Sequence, residues 1–283
     1  MPVFLFAAAT VSEQKSLNIF NFCLAFVALH FFVYPASNGY NSYFDKDEGS
    51  IGGLETPPPV EKELYDVSLI FDVIGLLIAL CISIEFAISL FVYGLASKAY
   101  SHPSIRLKKR PFMGWLTVGF FQGAFTWWMS YRAVINESYR LPYKELCNAL
   151  FFFDELILPA LLSSVLLLGS YPMTQIYQHE EDSKRGDKTL SLILGIRGTF
   201  IFTMVCFSVA AMGFTYYFWK IMNNWKLAIA FHVFLVPVFV YFILWAIRTF
   251  NDEKEANFRS TMRLNLISSL CMNLFFGFYL ITN

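Results

Sequence analysis

Eight stretches of this chain, at about 12–35, 66–84, 85–98, 113–135, 147–178, 198–222, 225–247 and 262–281, are apolar and set apart by polar turns. A helix crossing a bilayer needs about 20 mostly apolar residues. Lipid offers no partner for backbone N–H and C=O groups, so such segments must be helices or a closed barrel. Segments this long are helices. A typical soluble domain is about a quarter charged, whereas here only 15% of 283 residues are charged, 57% are apolar and mean hydropathy is +0.52. Disorder, a collagen-like chain and a nucleic-acid-binding module are excluded on that basis.

Met1–Val11 is apolar too, but eleven residues rise only about 16 Å, roughly half the hydrocarbon core. A secretory signal would need a basic start and a small-residue cleavage site, and neither is present. The segment reads as a truncated first transmembrane helix. The expected fold is therefore an all-α integral membrane bundle of eight full transmembrane helices plus a partial N-terminal one.

Five cysteines are dispersed without a C-x-x-C pair, and the four histidines form no H-E-x-x-H. Neither a disulfide framework nor a His-based zinc site is indicated. Net charge is zero, so the information lies in where charges sit. The polar breaks at 45–66, 98–110, 179–197 and 248–263 carry 15 of the 21 basic residues. The positive-inside rule places that set in the cytoplasm.

Two of these breaks repeat one another. Tyr34-Pro35-Ala36-Ser37-Asn38-Gly39-Tyr40-Asn41 with Asp45 matches Tyr171-Pro172-Met173-Thr174-Gln175-Ile176-Tyr177-Gln178 with Asp182, at a constant offset of 137 residues; Gly49 and Gly186 keep the register. Such a mixture of Pro, Tyr, amide and acid predicts two related halves, about 1–135 and 147–283, within a single domain spanning 1–283.

Asn38, Asn41 and Asp45 fall at i, i+3 and i+7, one face of a helix, and Gln175, Gln178 and Asp182 repeat the spacing. Stripes of amide and carboxylate oxygen suit a hard cation such as Mg²⁺, which keeps waters and phosphates in its other positions. Asp47 and Glu48 beside the first stripe, and Glu180 and Glu181 within the second, add negative charge. Acids facing one another call for a cation between them.

Asn41-Ser42-Tyr43-Phe44-Asp45 resembles the first Asp-rich motif, NDxxD, of the UbiA superfamily of intramembrane prenyltransferases. Asp182-Ser183-Lys184-Arg185-Gly186-Asp187-Lys188-Thr189-Leu190, running to Leu194-Gly195, resembles the second motif and its tail. Tyr100 with Leu107-Lys108-Lys109, and Gly123 beyond them, resembles the Tyr…Lys-Arg loop between. The resemblance implies two related halves around a lateral cavity, isoprenyl diphosphate bound through Mg²⁺, and transfer of the prenyl group to an acceptor within the membrane with release of diphosphate. It implies catalytic roles for Asn41, Asp45 and Asp182, with Asp47 and Glu181 as further metal ligands. Asn38, Arg106, Lys108, Lys109, Gln175, Gln178 and Lys188 are the expected substrate-binding residues. Motif loops on the cytoplasmic side of a bacterial inner membrane, and partners limited to diphosphate, hydrophobic acceptor and lipid without nucleic acid, complete the expectation.

The sequence departs from the pattern at Ser42, Gly49 and Gln178, where acids are usual. A non-catalytic lipid binder is therefore one alternative. A transporter is another, although its polar groups would sit mid-helix rather than at helix ends on one side. The acceptor stays open between an aromatic acid, a quinone precursor, a porphyrin and a lipid alcohol, as does cyclisation without an acceptor. Asp72, inside an apolar helix, is expected to accept a hydrogen bond from a neighbour. Asp154 and Glu155 are placed at the outer interface, His30 and His232 in packing. The Asp45–Glu63 loop reads as a lid over the diphosphate or a linker.

Overall fold

The computed structural model describes residues 1–13, 16–46, 49, 50, 52–136 and 156–282. Asp47, Glu48, Lys15, Asp154 and Glu155 lie outside the described residues. Helix α1 spans Pro2–Glu13, α2 Ile19–Asp45, α3 Lys62–Ile82, α4 Ile84–Ser101 and α5 residues 111–134. Then come α6 at Leu158–Gln175, the short α7 at His179–Arg185, α8 at Leu190–Ile221, α9 at Trp225–Asn251 and α10 at Phe258–Thr282. The only strand-like pairing among the described residues is a single bridge, Leu17 to Ile135. The chain is thus an all-α bundle, and each of the eight expected apolar segments holds one long helix. Five of them (α2, α3, α8, α9, α10) are long and apolar enough to cross a membrane.

Local chemistry explains the boundaries. α3 and α4 are split at Ser83, whose extended backbone and side-chain oxygen cap the Phe86 N–H at 3.1 Å. Asn224 and Thr189 cap α9 and α8 in the same way. α8 is broken at Gly195, which adopts φ +67.

Among the described residues, α2, α5 and the end of α8 contain π-helical turns, at Ala28–Val33, Gly119–Phe125 and Tyr217–Ile221. A π-turn leaves backbone groups in need of partners. In α5 the Ser164 hydroxyl of α6 supplies them, donating to Gly119 O at 2.8 Å and accepting from Ala124 N at 2.9 Å. Close approach makes this possible: a Cβ on Gly123 would stand 2.5 Å from Ser164 Cα. Small residues at such crossings let helices pack without a hydrophobic drive from lipid.

α6 packs on α8 and on the π-turn of α5, α1 on α10 and α5, α9 on α10, and α2 on α3. Aromatic side chains fill the centre, with Phe6, Phe214, Phe218, Phe231, Phe275 and Trp127 all buried. His30 is among them as a packing residue, stacked on Phe26 with its Nδ1 on the Phe26 carbonyl. His232 bonds Thr215 at 2.7 Å.

Two charges sit otherwise than expected. Lys98 is not a loop cation: it pairs with Asp72 of α3 and lies 5.1 Å over the Tyr40 ring. A carboxylate between helices is costly without a counter-charge, and Lys98 supplies it. At the other end of α4, Arg132 forms a fork on Glu85, Nε to Oε1 at 2.6 Å and Nη2 to Oε2 at 2.9 Å.

Candidate functional site

The last turns of α2 and the segment from α6 into α7 converge on a polar cavity of about 460 Å³. Asn41 and Asp45 enter from α2, Tyr100 from α4 and Lys108 from the 3₁₀ turn Leu107–Lys109. Tyr171, Gln175, Gln178, Glu181, Asp182, Asp187 and Thr189 line the other side.

The second stripe is not one straight helix face. After Gln175 the chain tightens into a 3₁₀ turn, Ile176–Gln178, before α7 resumes. Gln175, Gln178 and Asp182 reach the same cavity by that bend.

The charges are interlocked. Lys108 Nζ donates to Asn41 Oδ1 at 3.1 Å and pairs with the Asp45 carboxylate. Ser101 Oγ also donates to Asn41 Oδ1, at 2.6 Å. Arg106 Nη2 lies 3.0 Å from Asp187 Oδ2 and 3.9 Å from Asp45 Oδ1. Arg106 holds this position with a left-handed backbone, φ 45, a conformation that costs a non-glycine residue about 1 kcal/mol or more. Asp45 and Asp187 are nearly buried, with side chains 8% and 7% exposed. Thr189 Oγ1 donates to Asp182 Oδ2 at 3.2 Å. Below them, the phenols of Tyr100 and Tyr171 are hydrogen-bonded to each other, and Gln175 Nε2 donates to Tyr171 at 2.9 Å.

Not every expected residue converges. Lys109 and Lys188 are exposed and line no part of this cavity. Asn38 lies deeper, on neighbouring cavities. Glu180 faces solvent, where the Lys184 ammonium at 2.7 Å holds its carboxyl below the usual range. Glu181 does face the cavity. Asp187, Tyr171 and Thr189 belong to the lining although no role was read for them. Asp187 is an acid five residues beyond Asp182 in the same polar break; in the sequence, Tyr171 and Thr189 are marked only by the repeat and by the tail of the second motif. His179, at the start of α7, is half-buried and bonds Ser191 at 2.8 Å; burial lowers its pKa.

The loop between α2 and α3 lies over this cavity. Gly52 lines it, and a Cβ on Gly49 would stand 3.0 Å from Glu181 Oε2. Glu55 ties the loop to α10 through Arg259 Nη2 at 3.0 Å.

Beneath the polar cavity lies an apolar one of about 490 Å³, lined by residues of α1, α2, α4, α5, α6, α8, α9 and α10, including Phe6, Leu166, Phe207, Phe231 and Phe276. Asn265 lines both. A side chamber of about 160 Å³ shares Asn41, Tyr100 and Tyr171 with the polar cavity and Ser37, Asn38, Tyr93 and Gln122 with the apolar one.

The donor set fits a hard divalent cation. Gln175 Oε1 and Asp187 Oδ1 are buried acceptors without a hydrogen-bond partner. Among the described residues no three His, Cys, Asp or Glu side chains meet at one point. An ion here would therefore be held by one or two carboxylates with amide, water or ligand oxygens, the arrangement Mg²⁺ favours.

The molecule is thus a helical membrane bundle in which a charged cavity adjoins an apolar one. The UbiA prenyltransferase family model matches residues 1–267, and the chain belongs to that family. The fold is similar to that of a UbiA homologue from Archaeoglobus fulgidus bound to GPP and Mg²⁺, with a TM-score of 0.65 at 16% identity, covering 100% of this chain and 96% of that one. The same homologue bound to DMAPP and Mg²⁺ gives 0.64 at 16% identity, over 100% and 96%. A structure described in connection with digeranylgeranylglyceryl phosphate synthase in membranes gives 0.60 at 18% identity, over 99% and 92%. No curated protein matches the sequence.

Proposed function

We propose that this protein transfers an isoprenyl group from an isoprenyl diphosphate to an aromatic or lipophilic acceptor within the membrane, releasing diphosphate, with Mg²⁺ as cofactor. One observation carries the reading: a cavity of acids, amides and Lys108 adjoins an apolar cavity at Asn265. Head group and chain of one substrate would each meet its own chemistry. The family membership and the ligands of the similar structures support it.

Asn41 with Asp45, and Glu181 with Asp182, would each hold a Mg²⁺ ion, with Asp47 two residues beyond Asp45. Bound there, Mg²⁺ would supply positive charge to the departing diphosphate. Lys108 and Arg106 donate to diphosphate oxygens. The C1–O bond breaks with its electron pair going to diphosphate. Aromatic faces around the allylic carbon stabilise its cationic character by about 0.5–2 kcal/mol each. The apolar walls keep water from quenching it. The acceptor atom bonds C1, and the acceptor's proton passes to a diphosphate oxygen. The surplus of Lys and Arg in the motif-bearing breaks supports a cytoplasmic placement of this cavity.

The test is diphosphate release from farnesyl or geranylgeranyl diphosphate by membranes holding the protein, supplemented with cell extract as acceptor source. Release with Mg²⁺, lost in EDTA and in the Asp45→Ala, Asp182→Ala double variant, is expected. Release that persists in that variant would remove the motifs from the chemistry.

A further inference from the structure

We propose that the 160 Å³ side chamber seats the acceptor, and that it selects an uncharged acceptor carrying a hydroxyl or phenol group. The inference rests on the transfer reading above and narrows it to a substrate class.

Position comes first. The chamber touches the polar cavity at Asn41, Tyr100 and Tyr171, and the apolar cavity at Ser37, Asn38, Tyr93 and Gln122. A ligand in it faces the junction between head and chain, where C1 of a prenyl diphosphate must lie.

Chemistry comes second. Among the described residues lining the chamber, none is charged. The hydrogen-bonding groups are neutral: the Ser97–Ser37 hydroxyl pair at 2.8 Å, Asn38 and Gln122. Gln122 comes from the π-turn of α5, whose backbone Ser164 satisfies, so the odd turn presents an amide to the chamber at no loss of backbone bonding. The apolar cavity likewise has no charged side chain in its described lining. The nearby cations, Lys108 and Arg106, are engaged by Asp45 and Asp187 on the head-group side. A carboxylate entering the chamber would lose its water and gain no counter-charge from the chamber's lining. A hydroxyl exchanges its water for amide and serine partners. Its oxygen, or the ring carbon it activates, bonds C1 as the C1–O bond to diphosphate breaks, and its proton ends on diphosphate.

The experiment uses the full chain in nanodiscs with Mg²⁺ and geranylgeranyl or farnesyl diphosphate, and two probes that differ by a carboxylate: hydroquinone and 4-hydroxybenzoate. Prenylated hydroquinone is expected, with kcat/KM exceeding that for 4-hydroxybenzoate by more than about tenfold. Gln122→Leu should lower kcat/KM for hydroquinone roughly three- to tenfold. Gln122→Lys should shift preference toward 4-hydroxybenzoate. Equal or better use of 4-hydroxybenzoate by the unaltered protein overturns the proposal. So does diphosphate release that neither probe accelerates, or a cyclised hydrocarbon as the product. Absence of any Mg²⁺-dependent diphosphate release, with cell extract as well, overturns the transferase reading itself and the chamber's role with it.

Discussion

Lys108 spans the first motif, its ammonium donating to Asn41 Oδ1 at 3.1 Å while pairing with Asp45 four residues further along α2. The same group stands on the wall of the cavity where a diphosphate head would lie. A charge-assisted hydrogen bond is worth about 1.5–3 kcal/mol. Lys108→Met should therefore cut kcat/KM for the prenyl diphosphate by about 10–100-fold, with Lys108→Arg recovering part of it. Steady-state diphosphate release at varied substrate checks this; unchanged kinetics would free Lys108 from the site.

Thr189 does two jobs with one hydroxyl, capping the Leu192 N–H and donating to Asp182 Oδ2 at 3.2 Å. Partners that orient a metal ligand are typically worth about 10–100-fold in metal affinity. Thr189→Val should raise the Mg²⁺ concentration for half-maximal activity by that factor, with turnover at saturating Mg²⁺ largely kept and Thr189→Ser close to the original. A Mg²⁺ titration of each variant measures it.

The eight long helices were legible because an apolar run of bilayer length has few other ways to fold. The acid–amide stripes were legible because their spacing repeats. What lay beyond reading depends on contacts between helices. The 3₁₀ turn at Ile176–Gln178 bends the second stripe, although its residues match the first copy, which stays helical to Asp45. Lys98 looked like a loop charge until α3 brought Asp72 against it. Lys109 shares a basic run with Lys108, and Lys188 sits beside Asp187, but the local backbone turns Lys108 and Asp187 into the cavity and leaves Lys109 and Lys188 exposed. The π-turn at Gly119–Phe125 rests on Ser164, far along the chain.

That crossing leaves no room for a side chain at Gly123, since the nearest atoms are the Ser164 Cα and N, at 2.5 and 2.7 Å. Backbone cannot step aside as a rotamer can. Gly123→Ala should destabilise the protein by about 1–3 kcal/mol, seen as a lower melting temperature in detergent. A melting temperature at the original value would show that α5 and α6 separate freely.

The Glu85–Arg132 fork invites a paired comparison. Glu85→Gln breaks a largely buried ion pair by removing one partner, at a cost of about 3–5 kcal/mol. Glu85→Met with Arg132→Met removes both charges and should regain most of the loss. Thermal unfolding of the three proteins decides; a double variant as weak as the single one would show that the fork is needed for more than neutrality.

His179 gives the fold a pH dependence. Burial lowers its pKa below the ordinary 6.5, so the folded chain binds fewer protons than the unfolded one at that site. Its contribution is intact above about pH 6.5 and declines as pH falls through 6.5 toward the lower folded value. Melting temperature between pH 7.5 and 5.5 should drop, and the drop should shrink in His179→Asn.

The strap across the head-group cavity is fastened to α10 by Glu55 and Arg259, whose side chains are 58% and 73% exposed. An exposed ion pair contributes about 0–1 kcal/mol, comparable to thermal energy, and salt screens it. The floor of the site is set by buried pairs and close-packed helices, while its roof is held by a fastening that water can undo. In the proposed reaction, diphosphate, which carries too much charge to leave through lipid, would have a low-cost exit past this fastening, at a pace that follows ionic strength.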